Sequence, residues 1–166
     1  MIEHIYVDMD GVLADFYKRF EELFHAEPEV HYPSDTDKKK EYQQRWLDFI
    51  NGKNFETLDP MPDLKIGMKG LRLLHQTIPV EILGSTARPE FHDELVSQKT
   101  NWLEEHFIEF NPIFVPGKHL KRKYAGPNKV LIDDTLINIE QWKEDGGIGI
   151  LHKNWDDTLI QLSKVM

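Results

Sequence analysis

The stretch Ile5-Tyr-Val-Asp8-Met-Asp10-Gly11-Val-Leu-Ala-Asp15 decides the fold of this 166-residue chain. Its apolar, β-branched start predicts a buried strand, and two carboxylates spaced two residues apart follow directly. A glycine comes next, where the backbone can turn without the steric penalty of a Cβ atom. Ligands of open α/β sheets bind in the crevice beyond the carboxyl ends of the strands. We therefore expect Asp8 and Asp10 to lie at the mouth of a pocket.

Two other interpretations of this motif have to be weighed. A calcium loop shares the Asp-x-Asp-Gly pattern, but it needs further oxygen ligands and a glutamate at its twelfth position, whereas the apolar run 12–14 follows here. Alternatively, the two aspartates only cap a strand and begin a turn, as short acidic residues often do. The motif alone leaves this second interpretation open, so the rest of the chain has to decide.

Composition narrows the class of protein. Hydrophobic residues make up 40% of the chain and charged residues 30%, which is typical of a globular protein of one domain. There are no cysteines, which excludes a disulfide scaffold, thiolate metal sites and a cysteine nucleophile. The sequence shows no leader pattern and no apolar run of about 18 residues, so we expect a cytoplasmic protein without membrane contact. The net charge of −9 argues against a nucleic-acid polymer as partner, because such binding depends on neutralised phosphates.

Hydrophobic periodicity predicts alternating strands and helices along most of the chain. After the first strand we expect strands at 79–84, 112–115, 129–132 and 148–151, and helices at 65–76, 90–107, 136–144 and 155–165. This alternation favours a parallel sheet sandwiched by helices, that is, a Rossmann-like α/β fold.

Residues 16–62 interrupt the alternation, because they contain two helical patterns and no strand. The first pattern ends before a break that includes Pro33, and the second ends near Gly52. We expect these residues to form a small helical cap above the mouth of the sheet, with 1–15 and 63–166 as the core. Phe16 opens the cap and has two interpretations, as part of a small aromatic core or as a stacking face for a base.

Three of the predicted strands end in polar side chains. These are Asp8 and Asp10, Ser85 and Thr86, and Asp133 and Asp134. Four carboxylates at one sheet edge would repel each other and be driven toward protonation unless a cation compensated them. Mg²⁺ suits a site built from oxygen ligands beside a substrate phosphate. The sequence therefore predicts a Mg²⁺ site, and the basic segment 118–123 precedes the last acidic pair.

With these motifs the chain resembles the haloacid dehalogenase (HAD) superfamily of phosphatases. The stretch 8–15 resembles motif one, Ser85 or Thr86 motif two, a lysine within 118–123 motif three, and the last acidic pair motif four. Four motifs in order are far more specific than any one of them.

Within that superfamily the chain looks like the 5′(3′)-deoxyribonucleotidase type of 5′-nucleotidase, which carries a small helical cap after motif one. The segment 55–62 resembles the return from that cap, although Asp63 stands where a glycine is usual. The cap is the least similar part, so the resemblance is weakest where the substrate would be recognised.

The resemblance implies a two-step hydrolysis of a phosphomonoester. Asp8 would be the nucleophile that forms an aspartyl-phosphate, and Asp10 would be the general acid and base. Asp8, the backbone carbonyl of Asp10, and Asp133 or Asp134 would hold Mg²⁺.

The resemblance also implies ligands for the phosphoryl oxygens. Ser85 or Thr86 would bind them together with a lysine of the basic segment. The spacing to motif four matches that of the deoxyribonucleotidase group at Lys123, so the resemblance favours Lys123 over the other lysines of 118–123.

We expect the partner to be a small phosphorylated metabolite, and the resemblance implies a (deoxy)nucleoside 5′-monophosphate. Two alternatives stay open. One is a phosphatase for a sugar phosphate or a nucleic-acid 3′-phosphate, and the other is a non-catalytic protein in which the aspartates only bind a metal or phosphate.

Overall fold

The strand predicted from the opening stretch lies at the centre of a five-stranded sheet. In the computed structural model, which describes residues 1–28 and 34–166, the strands are β1 (His4–Val7), β2 (Val80–Ser85), β3 (Pro112–Val115), β4 (Lys129–Asp133) and β5 (Ile148–Leu151). Their order is β3-β2-β1-β4-β5, and all neighbours are parallel. The predicted parallel α/β sheet is confirmed.

The helices follow the predicted alternation. They are α1 (Phe16–Phe24), α2 (Thr36–Asn51), α3 (Leu64–His75), α4 (His92–Glu105), α5 (Leu136–Glu144) and α6 (Trp155–Val165). Short 3₁₀ helices span Asn54–Glu56, Pro89–Phe91 and Lys118–Tyr124. Pro33, placed at the break after the first helical pattern, lies outside the described residues. No helix in the described parts of the chain has the length and apolar character that a membrane crossing requires.

Successive side chains of β1 pack on opposite faces of the sheet. Ile5 and Val7 are fully buried on one face, in the larger core cluster that also contains Trp102 of α4 and Trp155 of α6. Tyr6 lies in the second cluster, on the other face, with Trp142 of α5. The residues of a strand point alternately to its two faces, so the chain covers both faces of β1 with helices.

The segment between β1 and α3 begins and ends at a paired neck. The Asp15 backbone N–H donates to the Asp59 carbonyl and the Met61 N–H donates to the Leu13 carbonyl, each at 2.8 Å. Between the two sides of this neck, helices α1 and α2 pack against each other through an aromatic cluster. Its members are Phe16, Phe20, Phe24, Trp46, Phe49 and Phe55. The division into a cap at 16–62 and a core stays a prediction.

The register of the sheet brings the motif-bearing strand ends together. Val7 pairs with Ile82 on one side and with Ile132 on the other. The residues directly after these positions therefore reach the same edge of the sheet. They include Asp8, the end of β2 and Asp133.

Candidate active site

The loop after β1 is a tight turn that places two aspartates at this edge. Backbone hydrogen bonds from Leu13 N–H to the Met9 carbonyl and from Gly11 N–H to the Ala14 carbonyl, both at 2.8 Å, close it. Gly11 has φ +81°, which L side chains rarely adopt, and a Cβ atom there would overlap the carboxylate of Asp134. A glycine is required at this position, because the turn and the second acidic pair share the same space.

A buried lysine joins the first carboxylate to the second acidic pair. Lys121 Nζ donates to Asp8 Oδ1 and to Asp133 Oδ2, each at 2.7 Å, and the lysine is 3% exposed. Burial alone would lower the pKa of Lys121, but the charges of Asp133 and Asp8 outweigh burial and raise it. The ammonium is therefore held charged between two carboxylates.

Asp133 is fully buried and has its oxygens occupied. Its Oδ1 accepts from the Thr135 backbone N–H at 2.8 Å and from Asn138 Nδ2 at 3.1 Å, and Asn138 also reaches Oδ2. Together with Lys121 these donors hold the carboxylate rigidly. Burial and the neighbouring charge of Asp8 nevertheless raise the pKa of Asp133.

Asp134 is the member of the acidic pair that lines the cavity. It hydrogen-bonds the Tyr17 hydroxyl, and burial together with the charges of Asp8 and Asp133 raises its pKa to about 7. One oxygen each of Asp8, Asp133 and Asp134 lies within 4.8 Å of the others. Hard carboxylate oxygens at this spacing fit a divalent cation, which would also offset the burial and the neighbouring charges that raise the pKa values of Asp133 and Asp134.

Asp10 faces a second buried lysine, on α4. Lys99 Nζ donates to Asp10 Oδ2 at 2.5 Å and to the Ser85 carbonyl at 2.8 Å. Asp10 lines the same cavity as Asp8 and Asp134. The site thus contains two buried ammonium groups, and each contacts carboxylates of the acidic motifs.

The two hydroxyl residues after β2 have different surroundings. Thr86 is fully buried, and its Oγ1 lies 2.8 Å from His92 Nδ1 and 3.4 Å from the Val115 carbonyl. Ser85 Oγ accepts from the Ala87 backbone N–H at 3.0 Å, which leaves its own O–H available to the cavity that it lines. Of the two hydroxyls, that of Ser85 is better placed to donate to a ligand.

These groups surround a cavity of about 230 Å³ with an aromatic wall. Phe16 is 6% exposed and stacks against Trp46 and Phe55, with ring centroids 5.6 Å apart in both pairs. It therefore belongs to the aromatic cluster of α1 and α2 and also lines the cavity. Trp46 and Tyr42 of α2 are half-buried and line the same wall.

The choice of Lys123 from the basic segment needs a correction. Lys123 is exposed, whereas Lys121 is buried against Asp8 and Asp133. The segment forms a 3₁₀ helix, in which residues three apart share a face, so Lys118 and Lys121 both reach the cavity and Lys123 points elsewhere. The spacing between the lysine and the last acidic pair, which the family resemblance supplied, does not show which lysine of the 3₁₀ helix faces the cavity.

The structure brings the other predicted residues together at the cavity. Those that line it are Asp8, Asp10, Phe16, Ser85, Thr86 and Asp134, and Asp133 lies directly behind them. Sequence reasoning missed Lys99 and Asn138. Each is a polar residue on the buried stripe of an amphipathic helix, beside Leu95, Trp102 and Leu103 in α4 and beside Ile139 and Trp142 in α5. A polar residue at such an apolar position was the sequence signal that could have identified Lys99 and Asn138.

Two acidic residues follow the central strand of this parallel sheet. They face a lysine and a second acidic pair at the end of the neighbouring strand. This arrangement defines a hydrolase of the HAD class. Solved structures with this fold include a hydrolase from Pseudomonas syringae (TM-score 0.60, 13% identity, covering 100% of both chains). A hydrolase from Streptococcus pneumoniae TIGR4 is also similar (TM-score 0.54, 14% identity, 98% of both chains). So is D,D-heptose 1,7-bisphosphate phosphatase from Burkholderia thailandensis (TM-score 0.54, 9% identity, 97% of this chain and 98% of that one). At these identities the likeness establishes the fold.

The sequence itself gives the family. The profile of the family described as 5′ nucleotidase, deoxy (Pyrimidine), cytosolic type C protein matches residues 1–161. The chain belongs to this family and is a hydrolase of the phosphatase type, which confirms the resemblance drawn from its motifs. No match was found among curated protein sequences.

Proposed function

We propose that this enzyme hydrolyses (deoxy)nucleoside 5′-monophosphates, with Mg²⁺ and through an aspartyl-phosphate on Asp8. The observation that carries the proposal is the surroundings of Asp8. Its carboxylate lines the cavity, 2.7 Å from the Lys121 ammonium and close to Asp134. A carboxylate held beside a fixed cation can approach a phosphate dianion that would otherwise be repelled.

The first half-reaction transfers the phosphoryl group to the protein. A carboxylate oxygen of Asp8 attacks phosphorus, the bond from phosphorus to the ester oxygen breaks, and the departing oxygen takes a proton from Asp10. Lys121 and the Ser85 hydroxyl bind the phosphoryl oxygens, whose spread charge is what such sites stabilise. The products of this step are a nucleoside and the Asp8 aspartyl-phosphate.

The second half-reaction releases phosphate. Asp10, now a carboxylate, takes a proton from a water molecule, whose oxygen attacks phosphorus as the bond to Asp8 breaks. Asp8 returns as a carboxylate and Asp10 as an acid. The sum is one water consumed for each ester hydrolysed.

Mg²⁺ would be held by Asp8, Asp134 and the backbone carbonyl of Asp10. Asp133 is less suited as a direct ligand, because its oxygens already accept from Lys121, Asn138 and Thr135. When bound, the ion would withdraw charge from the phosphoryl oxygens. Asp133 would then orient Lys121.

A nucleotide fits the aromatic wall better than a sugar phosphate does. Trp46 and Phe16 line the same cavity as the carboxylates, and aromatic faces stack on bases with little demand for one base over another. The family description, which names pyrimidine deoxynucleotides, supports the same substrate class. The description also supports our expectation of a cytoplasmic location.

The test is a substrate panel for released phosphate. It contains deoxynucleoside and nucleoside 5′-monophosphates, sugar phosphates, a 3′-phosphorylated oligonucleotide and p-nitrophenyl phosphate, each with Mg²⁺ and with excess chelator. We expect deoxynucleotides to give the highest kcat/KM, chelation to stop turnover, and Asp8→Asn to be inactive. A kcat/KM ten times higher for a sugar phosphate or the oligonucleotide would overturn the proposed substrate class. Turnover by Asp8→Asn would overturn the nucleophile.

A further inference from the structure

Two open grooves of opposite charge adjoin each other on the surface. The basic groove follows α3, and its lining includes Lys65, Lys69 and Arg72 but no acidic residue among those that the structure describes. The acidic groove follows the end of α4, and its lining includes Glu104 and Glu105 but no described lysine or arginine. The two grooves have similar volumes, about 850 Å³ and about 820 Å³. They share no lining residue with the catalytic cavity.

The charges of the two grooves are close together but do not neutralise each other. His106 lines both grooves, so they meet along a common border. Lys65 and Lys69 are exposed and form no ion pair with any residue that the structure describes. The same holds for Glu104 and Glu105. Two lysines and two glutamates therefore remain available to a partner.

Exposed apolar side chains accompany these charges. Phe107 lines the acidic groove and is 83% exposed, and Leu73 lines the basic groove and is 67% exposed. Among the large hydrophobic residues that the structure describes, only Met1 is more exposed. Arg72 Nη2 donates to the Phe107 carbonyl at 2.8 Å, which holds the end of α4 beside α3. The two grooves thus form one face with apolar and charged groups.

The backbone of Phe107 shows that its ring does not serve its own chain. Phe107 directly follows the last turn of α4 with φ +54°, and the Ile108 N–H donates to the Leu103 carbonyl at 2.9 Å. Glycine or asparagine is usual at this position, because a left-handed conformation strains other residues. A strained phenylalanine whose ring is exposed gains little burial within the chain. A partner that covers the ring would supply that burial.

We propose that this face binds a second copy of the chain around a two-fold axis beside Phe107. In a two-fold interface both copies use the same patch, so every contact occurs twice. An axis at the border of the grooves sets the basic groove of one copy against the acidic groove of its partner, and the reverse. Phe107 and Leu73 then lie near the centre, with charges around them, as in other protein interfaces. The inference does not rest on the proposed function.

The extent of the face sets the expected strength of the dimer. Eleven residues line the basic groove and ten line the acidic groove, with Pro60 and His106 in both. An interface of standard size uses roughly 20–30 residues on each side, so this one lies at the lower end. The charge of −9 on each copy also opposes association. We therefore expect a Kd in the micromolar range.

The test exchanges the charges of the two grooves. Lys65→Glu with Lys69→Glu makes both grooves acidic, and Glu104→Lys with Glu105→Lys makes both basic. By sedimentation velocity from low micromolar to millimolar concentration, we expect wild type to dimerise and each double variant alone to stay monomeric. An equimolar mixture of the two double variants should form a 1:1 dimer, because each acidic groove again faces a basic one.

Two further variants separate the face from net charge and from folding. Lys143→Glu with Lys153→Glu makes the same change in net charge at exposed positions that line neither groove, and should keep the Kd within about threefold. Phe107→Asn should weaken the dimer by about tenfold or more, without lowering the urea midpoint of the monomer. A lower midpoint would show that the ring supports its own chain.

The outcomes decide the inference without reference to catalysis. A wild-type protein that is monomeric at every concentration would overturn it and leave the face to a different partner. Dimerisation of either double variant alone, or a mixture that stays monomeric, would overturn the two-fold arrangement. If a double variant lacks the wild-type far-UV circular dichroism, Lys69→Glu and Glu105→Lys alone replace the pairs and the same comparison decides. Absence of phosphatase activity in wild type would refute only the proposed function.

Discussion

Single side chains in this site differ sharply from neighbours of the same type. Lys121 and Lys123 lie two residues apart, yet Lys121 is buried between two carboxylates and Lys123 is exposed. Ser85 and Thr86 are adjacent, yet their hydroxyls have different partners. The position of each side chain, rather than its chemistry alone, determines what it can do, and this gives matched pairs of variants.

The lysine pair gives the first prediction. Lys121→Met should lower kcat on p-nitrophenyl phosphate by about 100-fold or more, because a fixed cation at the phosphoryl group is lost. It should also lower the free energy of unfolding by about 3–5 kcal/mol, because Asp8 and Asp133 lose their shared partner. Lys123→Met should change neither. Steady-state kinetics and urea unfolding measure the two effects, and similar small effects from both variants would contradict the assignment.

Two glycines in the left-handed region give the second prediction. Gly11 (φ +81°) has the Asp134 carboxylate where a Cβ would lie, whereas Gly146 (φ +84°) has open space. Gly146→Ala should therefore cost only the backbone strain, about 1–2 kcal/mol. Gly11→Ala should cost more than that in urea unfolding and should also abolish turnover. Equal losses in the two variants would show that steric overlap with Asp134 is unimportant.

At the scale of elements, the hydrophobic period predicted the strands and helices of the core closely, because each buries a clear face. It did not predict the 3₁₀ helix at Lys118–Tyr124, since a short basic segment carries no apolar period. Nor did it place Lys99, because a single lysine does not disturb the apolar pattern of α4. What the sequence pattern cannot supply is the contact between distant elements, and the candidate site is made of such contacts.

Helix α2 gives the third prediction. Trp46 lies on its cavity-facing side, and losing a stacking face should cost about 1–3 kcal/mol of base binding. Trp46→Ala should raise KM for a deoxynucleotide by about tenfold, which corresponds to about 1.4 kcal/mol. KM for p-nitrophenyl phosphate should rise far less.

The control for α2 is Phe107→Ala, which removes an aromatic ring that is 83% exposed. It should leave both KM values unchanged. A tenfold rise for both substrates in Trp46→Ala would instead indicate that the aromatic cluster supports the carboxylates.

At the scale of the whole molecule, charge is distributed unevenly between core and surface. The chain carries −9 overall, yet its two most deeply buried lysines both face the acidic motifs after β1. The pKa values of Asp133 and Asp134 are still raised beside these cations, first by burial and then by the charge of Asp8. Burial and mutual charge both disfavour these carboxylates in the folded state, so a divalent cation bound among them would stabilise the fold.

That linkage gives the last prediction. An ion that binds the folded state alone adds about 2.7 kcal/mol at 100 times its Kd, which for a chain of this size raises Tm by roughly 5–10 °C. We expect Mg²⁺ to produce such a rise in thermal unfolding of the wild-type protein, without any substrate. Asp134→Asn should abolish the rise, because it removes a charged ligand and part of the repulsion, whereas Asp59→Asn, at the exposed neck, should retain it. A full rise in Asp134→Asn would mean that the ion binds elsewhere, and no rise in wild type would mean that the acidic cluster is balanced without a metal.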